Sequence, residues 1–265
     1  MKKILLFAAI TALPLCAQNQ SQDWSKTFEV SGKPTLTVHT DDADVRIRSC
    51  NCKQVQAHVT WEGYKPDRIQ ITPNQSGDHV SLVVKTRMHA GVNITGWHHQ
   101  WVHVDLTVPK ELDADITTGD GRVDAQDLKG DLRFRTGDGR MELTNMDGSL
   151  EARSGDGRMN VDGRFDALQV QTSDGPVNIA AKAGSQINSE WSVRTGDGSV
   201  HLRLPQDIHA NFSAHTGDGH ISTEFPMVVS GNLTEDRHDV RGTINGGGGT
   251  LTIHTGDGSV TIEKM

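Results

Sequence analysis

Aromatic residues make up only 5% of this 265-residue chain, with a single tyrosine, so aliphatic side chains must fill its interior. Cysteine is scarce as well: Cys16, Cys50 and Cys52 are all there are, which excludes a disulfide-dense scaffold. No segment repeats its apolar residues at three and four, so no long amphipathic helix is expected. After Leu15 no run approaches the roughly 18 apolar residues of a spanning helix. Bases are the minority, 26 against 34 acids, for a net charge of −8. An acidic chain of this kind is not a nucleic-acid binder. Also missing are a Gly-x-Ser-x-Gly elbow, His-Glu-x-x-His, a phosphate loop and a dinucleotide fingerprint, and with them the familiar enzyme classes.

What the chain has instead is glycine, 28 of them, set in a recurring word. Thr-Gly-Asp-Gly stands at Thr118–Gly121, Thr136–Gly139, Thr195–Gly198, Thr216–Gly219 and Thr255–Gly258. Ser154–Gly157 and Thr172–Gly175 are one-residue variants. Successive copies begin 18, 18, 18, 23, 21 and 39 residues apart, the last step long enough for two coils or for one with an excursion. A period near 20 marks a stacked repeat.

Residues 1–17 read as a secretory signal peptide: Lys2 and Lys3, the apolar run Ile4–Leu15, then small Ala17. Cys16 offers a lipoprotein reading, but Leu15 is large for that cleavage site, so cleavage after Ala17 is favoured. The mature chain would carry 24 bases against 34 acids, a net −10. It is expected to be exported to the periplasm, the cell surface or the medium, without a transmembrane span. Residues 18–27 read as a mobile lead-in, and 28–265 as one β domain with an irregular half (28–110) and a regular half (111–265).

In the regular half every second residue before the motif is apolar or small, as in Leu132-Phe134, Leu168-Val170 and Leu251-Ile253. The alternation resumes after it, as in Met141-Leu143, Val200-Leu202 and Val260-Ile262. These are half-buried strands of period two. The Thr or Ser that opens the motif continues the inward set, and its hydroxyl can bond nearby backbone. The alternation slips by one across Gly-Asp-Gly, a turn in which glycine would take positive φ and Asp would bond its own backbone. His39-Thr40, Asp42, Val45 and Ile47 match the last copy position for position, a degenerate first copy. Glu263 and Lys264 would give the final strand a charged edge.

The all-β chain therefore admits two folds. A repeat-built β-solenoid of about 20-residue coils would stack the Asp residues along one edge; an antiparallel β-meander or sandwich would make each Asp-Gly a hairpin loop. The steady period favours the solenoid. Export, these corners and the Val108-Pro109-Lys110 step into the first of them resemble the bacterial "putative adhesin" family, a domain of unknown function in envelope proteins, over roughly 28–265. The resemblance implies a β-solenoid-like fold and no catalytic residues to carry over; Cys50, Cys52 and the stretch 97–103 depart from it.

Several constellations could carry function. The series Asp120, Asp138, Asp156, Asp174, Asp197, Asp218 and Asp257 is read as a structural turn ladder. A calcium row, or a polysaccharide-active enzyme using Asp pairs at the turns, is the competing reading, but equal copies leave no distinguished pair. Arg135 and Arg153, with outward bases Arg122, Arg140, Arg158, Arg194, His215 and His254, are surface charge or a groove for acidic polysaccharide. Trp97, Trp101 and His103 form the one aromatic concentration, with Trp101 and His103 outward, suited to stacking on a sugar or a partner. Cys50 and Cys52 are read as a disulfide or a free pair, with zinc ligation alongside His98, His99 or His103 as the alternative. No cofactor and no metal site is expected. The reading is an exported, non-enzymatic envelope protein, an adhesin-like or scaffolding surface for cell-envelope polysaccharide or a surface protein, with end-to-end self-association open to it.

Overall fold

Short segments with alternating apolar residues, broken about every ten residues by a corner, can bury one side only by lying against another such segment. The computed structural model describes residues 22–87, 100–188, 190–229 and 238–265, and there the segments form two β walls enclosing one apolar core. The expected signal peptide (1–17), Trp97, His98, His99 and residues 230–237 within the last, long step lie outside the described residues.

Each regular coil contributes a leading strand before the glycine corner and a trailing strand after it. Leading strands Asp113–Thr117, Lys129–Arg135, the second half of Met141–Arg153 and the second half of Met159–Gln171 stack in parallel, followed by Glu190–Arg194. Trailing strands Val123–Gln126, the first halves of Met141–Arg153 and Met159–Gln171, Val177–Ala181 and Val200–Leu204 stack in the same way. Pairing between coils is parallel throughout, which selects the solenoid over the meander. Leu132, Phe134, Met141 and Leu143 of one coil are buried between the walls, and Phe165 meets the fully buried Trp191 edge-on, ring centroids 6.2 Å apart.

The stack does not follow chain order at its ends. The 35–50 coil lies between the strands of 79–109 and the 113–126 coil. The last copy likewise lies between the 190–204 and 210–223 coils. Glu263 and Lys264, expected at an outer edge, are thus inside the trailing wall. The 39-residue step is one coil with an excursion, in which Asp239–Ile244 pairs antiparallel with the outer edge of Ala210–Thr216. Asn245 at φ 50°, Gly246 at 84° and Gly247 at 86° then carry the chain back over His209. At the opposite end Ile69–Ser76 pairs antiparallel with His79–Thr86, and Gln22–Glu29 with Gln54–Glu62. That first strand begins inside the stretch read as a lead-in, and Trp24 packs on the core.

The corner glycines are not there for positive φ: none of those in the Thr-Gly-Asp-Gly copies has it. They are there because coils touch backbone to backbone. A Cβ on Gly139 would collide with the Gly121 carbonyl, and one on Gly157 with that of Gly139. The first glycine of each copy donates its N–H to the coil beneath, Gly137 to Gly119 and Gly155 to Gly137. The buried Thr136 hydroxyl reaches both Gly119 O and Gly121 O at 2.9 Å, and Thr255 reaches Gly196 O and Gly198 O at 3.1 and 3.0 Å. Two of the aspartates bond the next coil rather than their own backbone: Asp120 Oδ1 accepts the Asp138 N–H at 3.2 Å, and Asp138 Oδ1 that of Asp156 at 3.3 Å.

Positive φ belongs to the other edge of the stack, at Asp127 and Asn145 (59° and 57°) and at Gly130 and Gly148, each pair 18 residues apart. That edge is bound by side chains. Arg164 reaches Asp147 and both Asp166 oxygens, Lys129 reaches Glu111, and Lys33 reaches Asp113. Its bond to Arg164 holds the Asp166 carboxyl below the ordinary aspartate range, against partial burial.

Two outcomes follow from the two edges. Gly139→Ala should lower stability in urea by about 3 kcal/mol, because backbone on the adjacent coil must move. Gly77→Ala, with open space around it but φ 59°, should cost about 1 kcal/mol. Equal losses would refute the close-approach account. Because the folded pKa of Asp166 is depressed, its contribution is complete above the ordinary value near about 4 and fades as pH falls through the lower folded value. The stability gap between wild type and Asp166→Asn should therefore hold steady from about pH 7 to about pH 5 and shrink as pH falls below about 4; a gap constant across the whole range would contradict it.

Candidate functional site

Outward residues of a parallel stack form columns, because every coil presents the same strand position to solvent. On the trailing wall one column runs Asp105, Arg46, Asp124, Glu142, Asn160, Asn178, His201 and Thr261. At its centre the side chains bond along the stack. Asn160 Nδ2 donates to Glu142 Oε1 at 2.7 Å, and Asn178 Nδ2 donates to Asn160 Oδ1 at 2.8 Å. In the neighbouring column Asp162, Ala180 and Arg203 follow one another, and the small Ala180 leaves a depression. The result is a groove of about 320 Å³ across four coils, lined chiefly by Glu142, Asn160, Asp162, Asn178, His201 and Arg203. His201 Nε2 lies 2.9 Å from Glu263 Oε2 at the groove's end, without hydrogen-bond geometry between them.

Chemically the groove is mixed. Glu142 and Asp162 offer acceptors, Arg203 offers donors, and each Asn amide offers both. The signal for it lies in the sequence, since Glu142, Asn160 and Asn178 recur at the repeat's own step of 18, but alternation marks them only as outward positions of half-buried strands.

Arg135 and Arg153 stand outward on the leading wall, in the expected column, and are engaged by acids. Arg135 meets Asp115 at 2.9 Å and Glu151 at 3.1 Å, Arg153 meets Glu151 at 3.2 Å, and Arg133 approaches the same carboxylate. A second groove beside them, about 380 Å³, has Ala167 at its floor. Arg133 and Arg135 brace neighbouring coils to one another, whereas Arg153 pairs with Glu151 of its own strand.

Trp101 and His103 are outward and half-buried on the strand Trp101–Pro109, rings edge-on at 4.5 Å. Trp101 Nε1 donates to Glu62 at 3.1 Å, and His103 faces Asp44 at 3.8 Å. They occupy the same outer wall as the groove, toward the other end of the stack. The residues Asp120, Asp138, Asp156, Asp174, Asp197, Asp218 and Asp257 are all exposed in one row. Cys50 and Cys52 form a disulfide. No group of three or more His, Cys, Asp or Glu residues is gathered as a metal site among the described residues, and no helix there is long and apolar enough to cross a membrane.

The model of the Toastrack DUF4097 family matches residues 102–263, more than half of the chain. No curated protein matches it. Among solved structures, a "putative cell adhesion protein" of Clostridium sporogenes is 13% identical at a TM-score of 0.45, covering 93% of this chain and 100% of its own. A "putative adhesin" of Parabacteroides merdae is 13% identical at 0.45, covering 92% and 96%. A "putative lipid binding protein" of Parabacteroides distasonis is 13% identical at 0.42, covering 91% and 96%.

Proposed function

The chain belongs to the Toastrack DUF4097 family, and on that premise we propose that it is an exported, non-enzymatic envelope protein that binds a cell-envelope polysaccharide along the outer face of its trailing wall. The observation that carries this reading is the hydrogen-bonded ladder Glu142–Asn160–Asn178 beside the Ala180 depression. Coils spaced about 4.8 Å apart repeat one set of donors and acceptors along a line. A linear polymer with a unit of comparable length can meet equivalent groups at successive coils, so weak contacts add along one ligand. The strands are already ordered, so binding costs little side-chain or backbone freedom.

The mixture of groups fits the hydroxyls and amides of a saccharide better than an acyl chain, for which an apolar lining is needed. Trp101 and His103, on the same wall, supply an aromatic edge at the far end of such a track. Arg135 and Arg153, engaged by Glu151 and Asp115, stand outside it.

The test is binding of the full chain to purified envelope polysaccharide fractions by calorimetry. Ala180→Arg, which fills the depression from an outward position, should weaken binding by more than about tenfold, and Asn178→Ala by a few-fold, about 1 kcal/mol. Melting temperatures should move by no more than about 2 °C. Unchanged affinity in Ala180→Arg, or no binding to any polysaccharide fraction, would overturn the reading.

A further inference from the structure

The disulfide Cys50–Cys52 encloses a single residue, Asn51. A cross-link stabilises a protein mainly by closing a loop of the unfolded chain, and the effect grows with the length of that loop. One enclosed residue gives the smallest effect of this kind. Nor does the turn need the bond to stay closed. The strand before it, Asp44–Cys50, pairs in register with Trp101–Pro109, and the strand after it, Gln54–Glu62, pairs with that same strand from the other side. The turn is clasped again by the Val30 N–H, which donates to Lys53 O at 3.0 Å. Backbone pairing therefore already fixes both ends of the segment.

The surroundings give the bond a route to solvent and a bias of charge. Cys50 and Cys52 are half-buried and Asn51 is exposed. Both sulfur-bearing residues line a groove of about 510 Å³ whose rim carries Lys33, Lys110 and Glu111. Lys129 engages the Glu111 carboxylate at 2.8 Å. Lys33 is likewise engaged, by Asp113, so Lys110 is the rim charge without an ion-pair partner among the described residues, a nearby cation of the kind that favours a thiolate over a thiol. The groove lies on the edge opposite the glycine corners, at the end of the stack away from the Ala180 depression, and is a separate site from it.

We propose that Cys50–Cys52 is a thiol-exchange site that accepts a small acidic thiol in this groove. The thiolate of that molecule attacks one sulfur, forming a mixed disulfide while the Cys50–Cys52 bond breaks, and the other sulfur leaves as a thiolate. A second molecule of the same thiol attacks the mixed disulfide, releases the small-molecule disulfide and leaves two cysteine thiols after proton uptake from water. Two thiols are oxidised and one protein disulfide is reduced; the reverse sequence returns the chain to its oxidised form. Because the sheet holds the turn in either state, the fold survives the cycle.

The experiment incubates the folded full chain with glutathione redox buffers, traps thiols by alkylation and reads masses. The native protein should interconvert between disulfide and dithiol as the buffer is varied. The Cys50→Ser variant should retain one glutathione on Cys52. Lys110→Glu should slow the reaction with glutathione severalfold relative to that with cysteamine, which carries an ammonium group instead of carboxylates. The double variant Cys50→Ser/Cys52→Ser should melt within about 2 °C of wild type. Two free thiols in protein purified in air, reduction only on unfolding, or a large loss of melting temperature in the double variant would each overturn the proposal. Equal slowing of glutathione and cysteamine by Lys110→Glu would remove the acidic thiol from it.

Discussion

Coil is held to coil at the glycine corner by main chain in direct contact with main chain. The N–H of Gly137 donates to Gly119 O and the N–H of Gly155 to Gly137 O, at an approach that leaves no room for a Cβ on either partner. The buried Thr or Ser supplies the remaining hydrogen bond, reaching two carbonyls of the coil beneath. Buried carbonyls without donors are costly, so the hydroxyl and the glycines form one unit: the glycines permit the approach, and the hydroxyl satisfies what the approach buries. At Asp120 and Asp138 the carboxylate adds a bond at the surface by accepting the next coil's N–H. Everything outside depends on this spacing, because it fixes the coil-to-coil distance at which outward columns repeat.

At the two ends the same stack solves a different problem. A parallel stack leaves open strand edges, which invite pairing with another chain. Here the 35–50 coil and the 249–264 coil are enclosed by neighbouring coils, while antiparallel strands lie outside the leading wall at both ends and outside the trailing wall at one. Ile69–Ser76 at one of these edges carries Pro73, which lacks an N–H to donate. The stretch that crosses back from Asp239–Ile244 to Gly249–Thr255 needs its glycines for another reason, positive φ at Gly246 and Gly247 and contact with His209 at Gly248.

Most of the architecture was legible in the residues. The period, the inward Thr at 118, 136, 195, 216 and 255, the outward Trp101 and His103 and the degenerate first copy at 39–47 all stand where alternation puts them. The reason for the glycines was not, because alternation within one coil carries no information on how closely the next coil lies. The true left-handed positions, Asp127 and Asn145, do recur at the repeat step, but they are isolated residues without a repeated word around them. The out-of-order seating of the last copy was invisible for a similar reason: near-identical corners fit any level of the stack, so local pattern cannot say which one. The Glu142–Asn160–Asn178 ladder shares that fate, since solvated polar columns and bonded ones read alike until neighbouring coils are in register.

The most direct measurement of the central claim is hydrogen–deuterium exchange at the backbone N–H groups of Gly119, Gly137, Gly155 and Gly196. They adjoin exposed aspartates at the surface of a bend, where an ordinary turn amide exchanges freely. If the corners are stacked main chain to main chain, these amides should exchange as slowly as the strand amides of Phe134 and Val170, and only on global unfolding. Rapid exchange at the corners, with the strands still protected, would show that the coils are held by their walls and that the glycines do not join them.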